Sequence, residues 1–184
     1  MATIILLVVL VAVALFVIAV YNGLVKLRVL ANNAWADIDV QLKRRTDLVP
    51  NLVETVKGYA GHEKDTLERV IRARQQAVEL RGGTPAERAA AENALTQTLR
   101  SLFAVSEAYP ELRANENFRD LQNTLNSLED AIQNARRYYN AVVRDYNTKI
   151  DVFPSNLVAS AFRFEHRDFF ELTEAERVVP QVKF

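Results

Sequence analysis

The chain contains no cysteine, which excludes disulfides and thiolate metal ligands and leaves the redox compartment unmarked. Histidine is almost as scarce. A di-metal site in a helical bundle needs Glu-x-x-His pairs on two helices, but the residues three before His62 and His166 are Tyr59 and Arg163. His62 and Glu63 open a metalloprotease-like pattern, yet Thr66 stands where the second histidine belongs. No serine lies in a Gly-flanked nucleophile turn, and the pair Gly82-Gly83 lacks the Lys or Ser of a phosphate loop. Neighbouring carboxylates such as Asp37 with Asp39, or Glu116 with Asp120, fall on helix surfaces, where solubility and pairing with cations account for them. These absences point to a protein that is not an enzyme, with no cofactor, no metal and no catalytic residue. Charge is also balanced, 23 basic against 23 acidic residues, so nothing argues for nucleic acid.

Glycine and proline number five each. Few breakers among many Ala, Leu, Glu, Arg and Gln mean helix. Ala2 to Tyr21 carries no charge, Gly or Pro, and fourteen of its twenty residues are Leu, Ile, Val or Phe. At about 1.5 Å per residue such a run matches a hydrocarbon core about 30 Å thick, and insertion is favoured by roughly 4 to 8 kcal/mol. A cleaved signal peptide would begin with a cation and have a shorter apolar core, so a retained transmembrane anchor is expected. Lys26 and Arg28 flank it, with Lys43, Arg44 and Arg45 further on; the positive-inside rule then puts the N-terminus outside and the remainder in the cytoplasm.

Helical periodicity is plainest over 118–153. Phe118, Leu121, Leu125, Leu128, Ile132, Ala135, Tyr139, Val142 and Tyr146 alternate in steps of three and four, and Ile150 and Phe153 continue after a slip. Thr84, Pro85 and Glu87 form a helix start with a cap, Pro at the first position and a capping box, and Asn115 or Asn117 is placed to cap the long helix. Leu24 to Leu80 as one helix would extend about 85 Å and leave much of its apolar stripe bare. A turn at Gly58 to Gly61 avoids that. The expected helices are therefore 24–58, 62–80, 85–108 and 116–152, an elongated up-down-up-down, coiled-coil-like bundle whose last helix returns toward the membrane. The organisation reads as an anchor at 1–21, a cytoplasmic helical bundle at 22–153 and an aromatic-rich tail at 154–184.

Inside the first bundle helix, Leu24, Leu27, Ala31, Ala34, Ile38, Leu42, Val49, Leu52, Val56 and Tyr59 share a face, and Pro50 interrupts it, most simply as a kink. Lys43, Arg44 and Arg45 read as a solvated face paired with Asp37, Asp39 and Asp47, with contact to anionic lipid or an acidic partner as the alternative. Trp35 reads as a bundle or interfacial anchor. Arg136, Tyr139, Asn140 and Asn147 lie on or beside the seam of the last helix, where they would set register or form a groove. Phe153, Phe162, Phe164, Phe169 and Phe170 concentrate aromatic surface in the tail, to be covered by the chain's own bundle or by a second copy. Lipid is ranked lower as a cover because Glu165, Asp168 and Glu171 suit an anionic surface poorly. Val178 and Val179 read as strand-like or disordered.

The stretches AWADIDVQLKRRTDLVPNLVETVKGYAGHE, ANENF, ARRYYNAVVRDYN and FPSNLVA, with Tyr21, Asn22, Leu24, Leu27, Arg28, Tyr109, Pro110 and Leu112, resemble the LemA family from the anchor to about Phe170. That resemblance implies an N-terminal transmembrane helix with a short outside N-terminus and a cytoplasmic helical bundle, at the bacterial inner membrane. It implies architecture and little mechanism. The functional expectation is a single-span membrane scaffold or adaptor that self-associates and presents its bundle at the cytoplasmic membrane surface. Its expected partners are the lipid bilayer, a second copy and, as a candidate, another membrane protein. The alternatives are a regulatory subunit of a membrane enzyme such as a protease, and a lipid-organising protein that remodels membranes.

Overall fold

The computed structural model describes residues 1–170; Glu171, Val178 and Val179 lie outside them. Six α-helices follow in order: α1 (Ala2–Ala60), α2 (Lys64–Glu79), α3 (Pro85–Ser106), α4 (Pro110–Ala114), α5 (Glu116–Asp151) and α6 (Ser155–Ala161), with a 3-10 turn at Leu80–Gly82. Among the described residues there is no strand. The architecture is a long N-terminal apolar helix followed by a helical bundle, as the composition demands.

Local chemistry explains most boundaries. Thr84 Oγ1 accepts from the Glu87 amide at 3.3 Å, and the Thr84 amide donates to Glu87 Oε2 at 2.8 Å, which satisfies two of the donors a helix start leaves open. At the start of α5 Asn115 Oδ1 accepts from the Phe118 amide at 3.0 Å. α1 continues through Gly58 to Ala60 and the turn falls at Gly61 and His62, at the last residue of the stretch expected to break.

Two expectations need correction. The apolar run and the first bundle helix form one helix, α1, with no break near Asn22 or Gly23. Glycine there costs about 1 kcal/mol, but Lys149 Nζ lies where a Cβ on Gly23 would sit, so the bare backbone gives that side chain its seat. Phe153 is not on the seam of α5: the helix stops at Asp151 and Phe153 is 77% exposed. A residue preceding proline is disfavoured in the helical region, so the helix ends two residues before Phe153. The short helices α4 and α6 were not foreseen; each has fewer than eight residues, too few to show a period.

The chain forms two compact units. The first comprises Met1–Ala36 and Arg137–Asp168; the second comprises Asp37–Arg136 and, of the described residues, Phe169 and Phe170. Within the first, Leu24, Tyr146, Ile150, Ala159 and Phe164 form a buried cluster with Val20, Tyr21, Val25 and Leu27 against it. Within the second, α1 supplies Val49, Leu52 and Val56, α2 supplies Leu67 and Val70, α3 supplies Leu95, Leu99 and Leu102, and α5 supplies Phe118 and Leu125. Four amphipathic helices thus close one core.

Candidate functional site

The first unit is organised by how it holds the peptide after α6. Arg163 has φ 54°; its amide donates to the Ser160 carbonyl at 3.2 Å, and that of Phe164 to the Ala159 carbonyl at 2.9 Å. This is a Schellman helix end with its customary apolar contact, here Phe164 beside Ala159. The reversal puts Phe164 against Tyr21, ring centroids 5.6 Å apart, and Phe162 against the same Tyr21 at 4.9 Å. The Arg28 guanidinium lies 5.2 Å over the Phe164 ring.

Beyond Phe164 the strap is clamped by α5 and α1. Asn147 Nδ2 donates to the Arg167 carbonyl at 2.9 Å, and Asn147 Oδ1 accepts from the Arg167 amide at 3.0 Å. One side-chain amide therefore satisfies both backbone groups of one residue, as a neighbouring strand would. Tyr139 Oη donates to the Asp168 carbonyl at 2.9 Å and Arg167 Nη2 to Asn32 Oδ1 at 2.6 Å. Burial raises the Tyr139 phenol above its ordinary pKa, keeping it a donor at neutral pH. Trp35 is half-buried, its ring 5.2 Å from that of Tyr139. Tyr139 and Asn147 thus serve the tail, a role the sequence reading did not weigh.

The second unit buries charge. Arg45 is 2% exposed. Its Nη1 donates to Glu129 Oε2 at 2.6 Å and to Thr96 Oγ1 at 2.7 Å, and its Nη2 donates to Glu92 Oε2 and to the Glu92 carbonyl. Burial is the largest influence on Glu92 and raises its carboxyl pKa, with the charges of Arg45, Arg88 and Arg81 pulling the other way. Arg88, also buried, donates to Asp39 at 2.6 Å. Lys43, Arg44 and Arg45 therefore do not share one face. Lys43 and Arg44 are exposed, with Lys43 paired to Asp47, while Arg45 points inward. The inward list Leu42, Val49, Leu52, Val56 skips one step of three and four, and Arg45 fills it; that gap was the available signal.

Pro50 sits within this unit, and α1 passes through it. Proline has no N–H for the carbonyl four residues back, which is that of Thr46. Arg74 Nε of α2 donates to that carbonyl at 2.8 Å, and Arg81 Nη2 donates to Thr46 Oγ1 at 2.7 Å. A neighbouring helix meets the acceptor the proline left open.

Of the remaining sequence candidates, Lys26 and Arg28 are exposed two and four residues past Leu24, and Phe153 and Phe162 are exposed on the first unit. Phe169 is half-buried, and Phe170 is fully buried in the second unit with the Arg136 guanidinium 4.8 Å over its ring. The second unit has a cavity of about 350 Å³ lined by Arg100, Ser106, Glu107, Arg113 and Gln122 among others. The Ser106 hydroxyl is committed to the Phe103 carbonyl at 2.6 Å, and neither histidine lines the cavity, so it lacks an activated nucleophile. No group of three or more His, Cys, Asp or Glu placed to hold a metal occurs among the described residues.

With helices and no strand among the described residues, and among them a helix whose N-terminal apolar stretch is long enough to cross a bilayer and holds no fully buried residue, this is a membrane-associated helical protein. The chain belongs to the LemA family, whose model matches residues 34–184. It is similar to Protein LemA of Metamycoplasma hominis, 26% identical over 148 residues covering 79% of this chain and 66% of that protein. It is also similar to Magnetosome protein MamQ 2 of Paramagnetospirillum magneticum, 24% identical with 74% and 59% covered, and to Magnetosome protein MamQ of Magnetospirillum gryphiswaldense, 23% identical with 82% and 64% covered. The chain thus spans roughly two thirds or less of the length of these relatives.

Proposed function

We propose that this protein is a non-enzymatic membrane scaffold: anchored by residues 2–21, N-terminus outside, with its helical bundle at the cytoplasmic face, where copies associate and present helix surfaces to a partner. The observation that carries the reading is the continuity of α1. One helix supplies an apolar run left exposed from Ala2 to Phe16 and then, without a break, core residues of the bundle. A tether that is also a core element fixes the bundle at the lipid surface, and confinement to that surface raises the local concentration of copies so that weak contacts suffice for association.

The absence of cysteine makes the test clean. Single-cysteine variants at Ala2 and at Lys64 are exposed to a membrane-impermeant maleimide in intact cells and again after lysis. Labelling of the Ala2 variant alone in intact cells is expected; the reverse pattern overturns the orientation. Crosslinking in native membranes followed by sizing is expected to give a ladder of homo-oligomers. A strictly monomeric species overturns self-association, and recovery with a stoichiometric enzyme favours the regulatory-subunit alternative.

A further inference from the structure

Large apolar side chains outside the N-terminal run are mostly exposed singly, as Val29, Val40 and Ile71 are, and single exposures of that kind are ordinary. The corner between α5 and α6 is different. Val152, Phe153, Leu157 and Phe162 are 50%, 77%, 63% and 53% exposed within eleven residues, and 152–162 contains no charged residue at all. The structure also fixes where along α1 this corner lies. Phe162 packs at a tilt against Tyr21, Lys149 crosses Gly23, and Tyr146 and Ile150 pack with Leu24. The uncharged corner is therefore level with the last residues of the apolar run.

We infer that the α5–α6 corner is a lipid-facing wedge, its exposed Val152, Phe153, Leu157 and Phe162 inserted at the boundary between acyl chains and headgroups beside the anchor. The inference rests on the membrane-anchor reading above. Three observations commit the surface to lipid. It is continuous with the apolar helix through Tyr21, a residue type suited to the membrane interface. Cations follow along α1: Lys26 and Arg28, both exposed and placed for anionic headgroups. Of the acids beside this surface, Asp168 is carried off along the strap, which passes from Phe164 beside Arg28 to Arg167 at Asn32, four residues of α1 or about 6 Å on, and Asp151 is met by His166 Nε2 at 2.9 Å. Short amphipathic elements seat an apolar face about 5–10 Å deep at this boundary.

The full chain is reconstituted in phosphatidylcholine–phosphatidylglycerol vesicles containing spin-labelled lipid. An environment-sensitive fluorophore is attached in turn to single cysteines replacing Ile5, Phe153, Leu157 and Ile71. Loss of emission at 153 and 157 comparable to that at 5, with little at 71, is the expected result. Loss at 5 without loss at 153 and 157 overturns the wedge and leaves the anchor standing. No loss at 5 overturns both. Equal loss at 71 and 157 also overturns the wedge, since nothing would then distinguish the corner from any other exposed apolar site.

Discussion

The two units draw on the same two long helices, α1 and α5, yet solve the problem of a polar seam in opposite ways. In the first unit the seam is apolar and aromatic, and the backbone of the strap that closes it is held by neutral side chains, Asn147 on Arg167 and Tyr139 on Asp168, while its charged side chains stay exposed. In the second, a seam position is given to a guanidinium enclosed by Glu92, Glu129 and Thr96. Neutral hydrogen bonds cost little to bury once made. A buried charge costs several kcal/mol to desolvate and is repaid only if every partner is in place. The comparison teaches that helical period fixes which side chains face inward, while the chemistry at each inward position decides whether damage stays local or spreads.

The sharpest way to break that contrast is Arg45→Met. Glu129 is partly exposed and turns to water, whereas the Glu92 side chain is 5% exposed and stays behind unpaired. Loss of one partner of a buried pair costs about 3–5 kcal/mol. Denaturant unfolding of the detergent-solubilised chain should show it, and Arg45→Met with Glu92→Met should regain most of it. A loss below about 1 kcal/mol, typical of an exposed pair, would erase the distinction between the units. The pH dependence sharpens the same point. Because Glu92 is raised in the folded state, the native chain holds that proton more readily than the unfolded one. Its contribution is full below the ordinary glutamate value of 4.5 and fades as pH rises through the raised value. The stability of the native sequence relative to Glu92→Gln should therefore fall across that interval and then level off.

Arg74→Ala comes next. It strips the donor from the Thr46 carbonyl, and a buried acceptor left unpaired costs about 1–3 kcal/mol. Combined with Pro50→Ala, which restores an N–H four residues on, the Arg74 penalty should shrink; an unchanged penalty would mean that Arg74 does not act through the gap left by proline. In the first unit Asn147→Ala removes two neutral hydrogen bonds worth about 0.5–1.5 kcal/mol each. The Arg167 amide should exchange faster by the corresponding factor, while the unfolding midpoint of the second unit stays put. A shift in that midpoint would show the damage spreading after all.

Much of this organisation was legible in the chain, because long helices announce themselves by period and by their caps. The Thr84–Glu87 box, the stop near Pro154 and the turn at Gly61 all follow from two or three residues whose chemistry acts locally. What was not legible depends on groups far apart in sequence. Arg45 belongs to a run of three cations and reads as surface until Glu92 and Glu129, 47 and 84 residues away, are brought to it. Pro50 reads as a kink because its remedy, Arg74, sits on another helix. Asn147 and Tyr139 lie on a seam and suggest helix register; that they hold backbone twenty and twenty-nine residues on follows only once α6 turns the chain back.

That turn supplies the smallest and most local test. Arg163 is a non-glycine residue with positive φ, a conformation costing roughly 1–2 kcal/mol in an L-residue and nearly free for glycine. It is retained because the Schellman bonds at Ser160 and Ala159 require it at that position. Arg163→Gly relieves the strain but loosens the unfolded chain, so a net gain of about 0.5–1 kcal/mol is expected, read as slower exchange of the Phe164 amide. Arg163→Val should do the reverse, since a β-branched residue is poorly tolerated there, and should free Phe164 from Tyr21 without touching the bundle around Arg45. If both substitutions left the Phe164 amide unmoved, the helix end after α6 would not be what holds the strap, and Asn147 would have to carry it alone.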